Sequence, residues 1–294
     1  FKVSNPLFEA GLVEARDMWM VGGGSAVYRW VNGTFGPMTS PMTSGFLAVA
    51  GTSASDVWLG GFDSPEVTHF NGTGYEQLTT DAGGNAIDGI LAFAPDEAYL
   101  ADGTALFRFD GGSWEYVFDV GGNEYIEALW GTPGVPLALP VNGLLYEYPS
   151  SAPPVQLPGF AADEVTGMKV LPTGEAWAVG TRSKVARRFV DGGWVGLPVT
   201  IPPFTNTDLW SVHADSISEA WIVGEEGAIL HWREDAGWTQ HRALPVFDAG
   251  FTTNNDIYWF DIEASGKDLW LVGGKGNMGS GNYDAGVVTH LRLP

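Results

Sequence analysis

Short apolar runs separated by Gly-, Asn- and Asp-rich turns fill the chain from end to end, and one arrangement of them keeps returning. An acidic residue is followed by aromatic–apolar–apolar–Gly, then by an apolar–basic–aromatic segment and a turn. It reads DMWMVG (17–22), DVWLGG (56–61), DEAYLADG (96–103), EAWAVG (175–180), EAWIVG (219–224) and DLWLVG (268–273). A degenerate copy, PLALPVNG (136–143), fills the one gap. The anchors are Trp19, Trp58, Tyr99, Leu137 in the weak copy, Trp177, Trp221 and Trp270, spaced 38–49 residues apart. Seven copies in 294 residues leave 42 each.

Each copy parses into four short strands. In the sixth they are LWSVHA (209–214), AWIVG (220–224), AILHW (228–232) and GWTQHRAL (237–244), alternating with a period of two. Third and fourth strands are joined by NGT (32–34, 71–73) or DGG (110–112, 191–193), the Asn-Gly and Asp-Gly signals of a tight hairpin. Asn32 and Asn71 also match the N-x-T glycosylation pattern, but their place in a repeated turn favours the turn reading. A four-stranded unit repeating at this period is a propeller blade. The expectation is an all-β, seven-bladed β-propeller, a single domain over 1–294. Its last copy stops after a third strand, VVTHLRLP (287–294). The opening segment 1–6 is expected to complete blade seven, with Phe1 where other copies carry Trp114, Trp194 or Trp238. That leaves no open sheet edge across the joint.

The pattern s-x-x-D/E-x-W-x-V-G-x-x-G-x-I-x-H-x-D-G-x-W covers essentially the whole chain. It resembles the tryptophan-rich propeller repeats of exported bacterial proteins, of the photosystem II assembly factor and Asp-box type. A full Asp-box, S-x-D-x-G-x-T-W, is absent; only DGGSW and DGGW remnants stand here. The resemblance implies the fold and an exported setting. It names no activity, since such repeats serve lectins, assembly factors and glycosidases alike.

Composition narrows the function classes. The formal charge of −21 is the opposite of the basic footprint that nucleic acid demands, and it disfavours an anionic membrane surface. No cysteine is present, which removes disulfides, thiolate metal sites and cysteine nucleophiles. No apolar run is long enough for a spanning helix. The chain opens FKVSNPLFEA with no initiator methionine, as a mature or trimmed form would. An extracellular, cell-surface or periplasmic location is the compositional expectation.

Most polar candidates fall into repeated positions. His69, His231 and His290 share one slot in the third strand, filled elsewhere by Arg29, Arg108, Arg188 and Glu147. That slot is expected to hydrogen-bond the acid opening the second strand (Asp17, Asp56, Glu175, Glu219, Asp268), so that buried polar groups satisfy each other. His213 and His241 lie outside the slot, in no zinc spacing. No G-x-S-x-G elbow or phosphate loop occurs, and no carboxylate pair is singled out for glycoside chemistry.

Loop length carries more information. GPMTSPMTSG (36–45), GGFDSPE (60–66), TTDAGGNAID (79–88), VTIPPFTNTD (199–208), VFDAGFTTNND (246–256) and GGKGNMGSGNYDAG (273–286) all fall on one face by strand parity. Long connections are often functional. The region around blades five to seven also holds Phe204, Trp210, Phe251, Asn254, Asn255, Asp256, Tyr258, Trp259, Lys275, Asn277, Tyr283 and Asp284. Aromatic plates beside Asn, Asp and Lys suit a glycan or a partner protein. Trp210 and Trp259 also fit inner-strand core positions. Asn254, Asp256 and Asp284 offer oxygens to calcium, without an EF-hand spacing. The expected function is a non-catalytic, exported binding module for a glycan or protein partner. The alternatives are a glycoside hydrolase or polysaccharide lyase at the channel mouth, and a structural part of a surface assembly.

Overall fold

The computed structural model describes residues 2–14, 17–62, 66–80, 86–121, 124–141, 144–149, 152–161, 165–241, 257–277 and 282–293. They form seven antiparallel sheets arranged as the blades of a β-propeller. β1 (Lys2–Val3) belongs to the last blade, described below. Blade one follows as β2 (Leu7–Glu14), β3 (Asp17–Gly22), β4 (Ala26–Val31) and β5 (Thr34–Pro37). Blade two is β6 (Phe46–Ser53), β7 (Asp56–Gly61), β8 (Glu66–Phe70) and β9 (Tyr75–Thr79). Blade three is β10 (Ile87–Ala94), β11 (Glu97–Asp102), β12 (Ala105–Phe109) and β13 (Trp114–Asp119). Blade four has β14 (Leu137–Val141), β15 (Leu144–Tyr148) and β16 (Val155–Ala161). Its inner strand is reduced to two bridges, Ile126↔Val141 and Trp130↔Ala138. Blade five is β17 (Val165–Val170), β18 (Ala176–Gly180), β19 (Lys184–Arg188) and β20 (Trp194–Gly196). Blade six is β21 (Leu209–Ser216), β22 (Glu219–Gly224), β23 (Ile229–Arg233) and β24 (Gly237–Gln240). Blade seven is β25 (Ile257–Ser265), β26 (Asp268–Asn277) and β27 (Asn282–Arg292), with β1 as its outer strand.

The ring therefore closes through the N-terminal strand, as expected. The closure is shorter than 1–6: Lys2 pairs with Val287 and Val3 with Gly286, and Leu7 already opens blade one. Phe1 itself lies outside the described residues. A second correction concerns 273–286, expected as a loop. β26 and β27 run through Lys275↔Ala285, Gly276↔Tyr283 and Asn277↔Asn282 as a hairpin extending the blade.

Apolar residues of the second strands fill the seams between blades. Trp19, Trp58, Trp177 and Trp270 are almost wholly buried, each against aromatics of the following blade, as Trp177 is against Trp232 at 5.3 Å between ring centroids. The Gly that ends second strands has a steric cause. A Cβ at Gly22 would stand 2.0 Å from the carbonyl oxygen of Pro6, and one at Gly224 would stand 2.3 Å from that of Asp208. The inner strand presses its backbone against that position.

The polar slot is built as the repeats imply. Arg29 Nε donates to Asp17 Oδ1 at 2.7 Å. His69 Nε2 is 2.7 Å from Asp56 Oδ1, His231 Nε2 is 2.6 Å from Glu219 Oε1, and His290 Nε2 is 2.8 Å from Asp268 Oδ1. Each of these bases also covers its blade's tryptophan, as His231 does on Trp221 at 3.9 Å between ring centroids. Blades four and five depart from the expected register. Ala138, not Leu137, stands at the anchor position, because it bridges to Trp130 of the inner segment and pairs with Glu147. Opposite Trp177 stands Arg187, not Arg188; its guanidinium lies between Trp177 and Trp232, 4.4 Å from the latter ring. Glu175 accepts from Thr173 instead of a slot base. Arg188 reaches into blade four and pairs with Glu147.

Candidate functional site

The inner strands share a feature that the repeat pattern did not announce. The ladder between first and second strands skips one residue near the start of the inner strand in six blades. The skips fall between Leu7 and Glu9, Phe46 and Ala48, and Ile87 and Gly89. They recur between Val165 and Gly167, Leu209 and Ser211, and Trp259 and Asp261. Such a bulge re-aims a side chain. The unpaired residues Phe8, Leu47, Asp88, Thr166, Trp210 and Phe260 all line one central cavity of about 400 Å³.

These residues stand at the long-loop end of the channel, because inner strands begin where the blade-to-blade connections arrive. Hydrogen bonds tie the second-to-third-strand turns to those connections: Gly23 N donates to Pro6 O, Phe62 N to Gly45 O, and Glu225 N to Asp208 O. Three aromatics cluster at this mouth. Phe8 and Phe260 have ring centroids 5.9 Å apart, and Trp210 and Phe260 6.4 Å.

Just inside that rim the walls differ. One side is apolar, with Ala50, Leu91, Ala92, Phe93 and Trp130. The other, from blades five, six, seven and one, carries Lys169, Ser211, His213, Asp261, Glu263 and Glu9. Asp261 joins three blades. Its Oδ2 accepts the Ala10 N–H at 2.9 Å, and its Oδ1 accepts the Ser211 hydroxyl at 2.6 Å and the Ile262 N–H at 2.9 Å. Glu9 Oε2 accepts the Val49 N–H at 3.3 Å. His213 Nδ1 lies 3.2 Å from Glu263 Oε2 and its Nε2 lies 3.6 Å from Asp215.

Burial and like charge set the proton affinities. Burial raises Asp261 to about 6, helped by the neighbouring Glu263, and raises Glu9 well above the usual carboxylate range, with Asp261 adding to it. For Glu263 burial is outweighed by Lys169 and His213, which hold its carboxyl below the usual value. His213 is raised: burial opposes its charge, but the neighbouring carboxylates of Asp215 and Glu263 prevail. At the rim, burial and then Asp102 lift Asp88 to about 6.

The sequence-predicted residues divide. Phe204 and Trp259 are core side chains, 3% and 0% exposed, so neither is available to a ligand. The 199–208 connection is folded down: Phe204 packs among Trp177, Leu209 and Trp232, and the Ser183 hydroxyl donates to its carbonyl oxygen at 2.6 Å. Trp210 belongs to the channel mouth. Tyr258 and Lys275 are half-buried on adjacent strands, where Tyr258 pairs with Gly274 and Ile257 with Lys275. The backbone positions of Asn277, Tyr283 and Asp284 belong to the extended blade-seven hairpin. Phe251, Asn254, Asn255 and Asp256 lie outside the described residues, and with them most of the calcium oxygens considered above. Among the described residues no group of three or more His, Asp or Glu is placed to hold a metal ion. No helix among them is long and apolar enough to cross a membrane.

Sequence reasoning missed Phe8, Glu9, Asp88, Asp261 and Glu263. A signal existed: the bulged residue precedes the anchor by 11 positions in Phe8/Trp19, Leu47/Trp58, Asp88/Tyr99, Thr166/Trp177 and Trp210/Trp221, and by 10 in Phe260/Trp270. Its chemistry changes from blade to blade, so a search for repeated residue types passes over it.

Fold and site define a seven-bladed β-propeller with an aromatic-rimmed, acid-walled channel. No protein-family model matches the sequence, and no curated protein matches it. Solved structures do. YCF48 bound to D1 peptide superposes with a TM-score of 0.74 at 16% identity, over 99% of this chain and 94% of that one. A catalytically inactive virginiamycin B lyase from Staphylococcus aureus with quinupristin gives 0.79 at 12%, over 99% and 96%. The extracellular domain of the one-component system BT4673 from B. thetaiotaomicron gives 0.67 at 10%, over 99% of this chain and 41% of that one. At these identities the similarity establishes the shared fold.

Proposed function

We propose that this chain is a non-catalytic recognition module that holds a segment of a partner protein at the long-loop mouth of its channel. The observation that carries this reading is the bulge column, which sets Phe8, Trp210 and Phe260 at the rim above Glu9 and Asp261. Aromatic faces next to carboxylates favour an apolar segment carrying a Lys or Arg side chain. The charge of −21 favours the same sign of partner. A propeller of this shape, YCF48, is bound to a peptide, which agrees with the reading. A glycan is the competing ligand for the same mouth. We place the module outside the cytoplasm, on its cysteine-free acidic composition and on the extracellular domain among its structural neighbours.

One observation favours a catalytic reading, namely that Asp261 and Glu9 hold protons more tightly than ordinary carboxyls. Such values suit general acids. Against it, the carboxylate of Asp261 is engaged by three donors, two of which tie it to blades one and six, which is a structural occupation.

The test presents the labelled chain to an array of Lys- and Arg-centred peptides and to a glycan array. Trp210→Ala and Glu9→Gln run alongside. The expected result is capture of basic, apolar-flanked peptides, lost in both variants and weakened by salt. Retention on glycans with none on peptides would overturn the protein-partner reading.

A further inference from the structure

The three aromatics of the channel mouth come from neighbouring blades and do not stack on one another. Trp210, Phe260 and Phe8 hold the bulged position of blades six, seven and one. From one ring to the next the planes turn by 71° and 57°, at centroid separations of 6.4 and 5.9 Å. Successive blades are rotated about the channel axis, so three consecutive rings bend around the cavity that all of them line. The result is a half-buried aromatic arc on a cavity of about 400 Å³, a size that admits a small ligand or one side chain.

Acids complete the arc. Glu9 follows Phe8 and Asp261 follows Phe260 in the sequence, and Asp88 holds the bulged position of blade three on the same cavity. These carboxyls have little accepting capacity left. Asp261 accepts three donors of the protein itself, Glu9 accepts the Val49 N–H, and Asp88 accepts the Gly103 N–H. A lysine ammonium brings three N–H donors and an arginine five, and each loses water on entry and needs an acceptor. A trimethylammonium brings none. Its charge is spread over methyl groups that pack on ring faces and are attracted by the ring quadrupoles. The acids then act through their field, without hydrogen bonds to the cation.

We propose that the cation taken at this mouth is a quaternary ammonium, carried by the partner segment as an Nε-trimethylated lysine. The proposal rests on the protein-partner reading given above and narrows it from basic residues in general to an alkylated one. Trp210, Phe260 and Phe8 receive the methyl groups, and the charge of −21 draws the cation in. Free choline carries the same head, so the test includes it.

Four labelled peptides of one apolar-flanked sequence are titrated into the chain and followed by fluorescence anisotropy. Their central residue is lysine, arginine, trimethyllysine, or the uncharged isostere with carbon in place of the trimethylammonium nitrogen. Trimethyllysine should bind at least tenfold more tightly than lysine, and at least tenfold more tightly than the isostere, which has its shape without its charge. Phe260→Leu and Trp210→Leu keep apolar surface but remove a ring, and each should abolish that preference. Phe8→Leu supplies an independent variant should either lose its fold, and Tyr116→Leu, on the exposed outer strand of blade three, should change nothing. Equal binding of lysine and trimethyllysine would overturn the proposal and leave the protein-partner reading standing. An isostere as tight as trimethyllysine would make the arc an ordinary apolar pocket and overturn it as well. Choline is titrated separately by calorimetry. Choline binding with no peptide bound would assign the site to a free small molecule, and the trimethyllysine proposal would fall together with the protein-partner reading. Silence from all four peptides and from choline would remove both.

Discussion

His69 Nε2 stands 2.7 Å from Oδ1 of Asp56, a carboxylate that is almost wholly buried. The imidazole is held from its face as well, stacked on Trp58 with centroids 4.1 Å apart and planes 18° off parallel. Two restraints on one ring make the pair a unit. Replacing His69 and Asp56 by Ala singly and together should give non-additive losses, with a coupling of about 1 kcal/mol. Urea unfolding of the four proteins measures it, and additive losses would reduce the slot to a by-product of the repeat.

Asp261 provides a larger effect from one side chain. Its carboxylate ties blade seven to blades one and six through Ala10 and Ser211. Asp261→Ala strands those buried donors and should cost about 2 kcal/mol. Hydrogen exchange should rise first in β2 and β21, the two strands released.

Asp88 makes stability depend on pH in a stated direction. Its folded carboxyl binds its proton up to about pH 6, above the ordinary value of 3.8. The native state therefore holds more protons than the unfolded chain between those limits, and stability falls as pH rises through them. Asp88→Asn removes that charge. Its Tm should match the parent at pH 4 or below and exceed it at pH 7. A difference of the opposite sign would place the carboxylate in a favourable environment.

Gly22 and Gly224 should not tolerate a methyl group. Each would bring Cβ within 2.3 Å of the carbonyl oxygen of the residue just ahead of an inner strand, Pro6 or Asp208, and overpacking of this kind costs about 1–3 kcal/mol. Gly36, where a Cβ meets nothing within 4 Å, supplies the control. Denaturant midpoints for Gly22→Ala and Gly36→Ala should separate accordingly.

The repeat was readable because Trp19 and its counterparts, the closing Gly and the His/Arg slot must all be kept for blades to stack. That requirement shows as residue identity, and it yielded blade number, order and ring closure. Blade five misled because VARRFV offers two arginines, and only the ladder shows that Arg187 faces Trp177 while Arg188 crosses to Glu147. Blade four lacks an aromatic at Ala138, so the weaker text favoured its neighbour. The glycines of 273–286 suggested a loop, yet Lys275 and Ala285 pair across a continuing hairpin. The channel site was the least legible part. Phe8, Asp88 and Trp210 have nothing in common except where a bulge puts them, and a bulge is a property of pairing that no single strand records.

That bulge has a consequence for how such a molecule changes over time. Six of the seven blades hold one residue out of register, facing the channel, and the tryptophans that fill the seams between blades lie elsewhere. Exchanging Phe for Leu, Asp, Thr or Trp there leaves the buried tryptophans of the second strands in place, and this chain already displays all five. The mouth behaves like a combination lock whose tumblers turn independently while the casing stays fixed. Chains that share the casing are free to open to different keys.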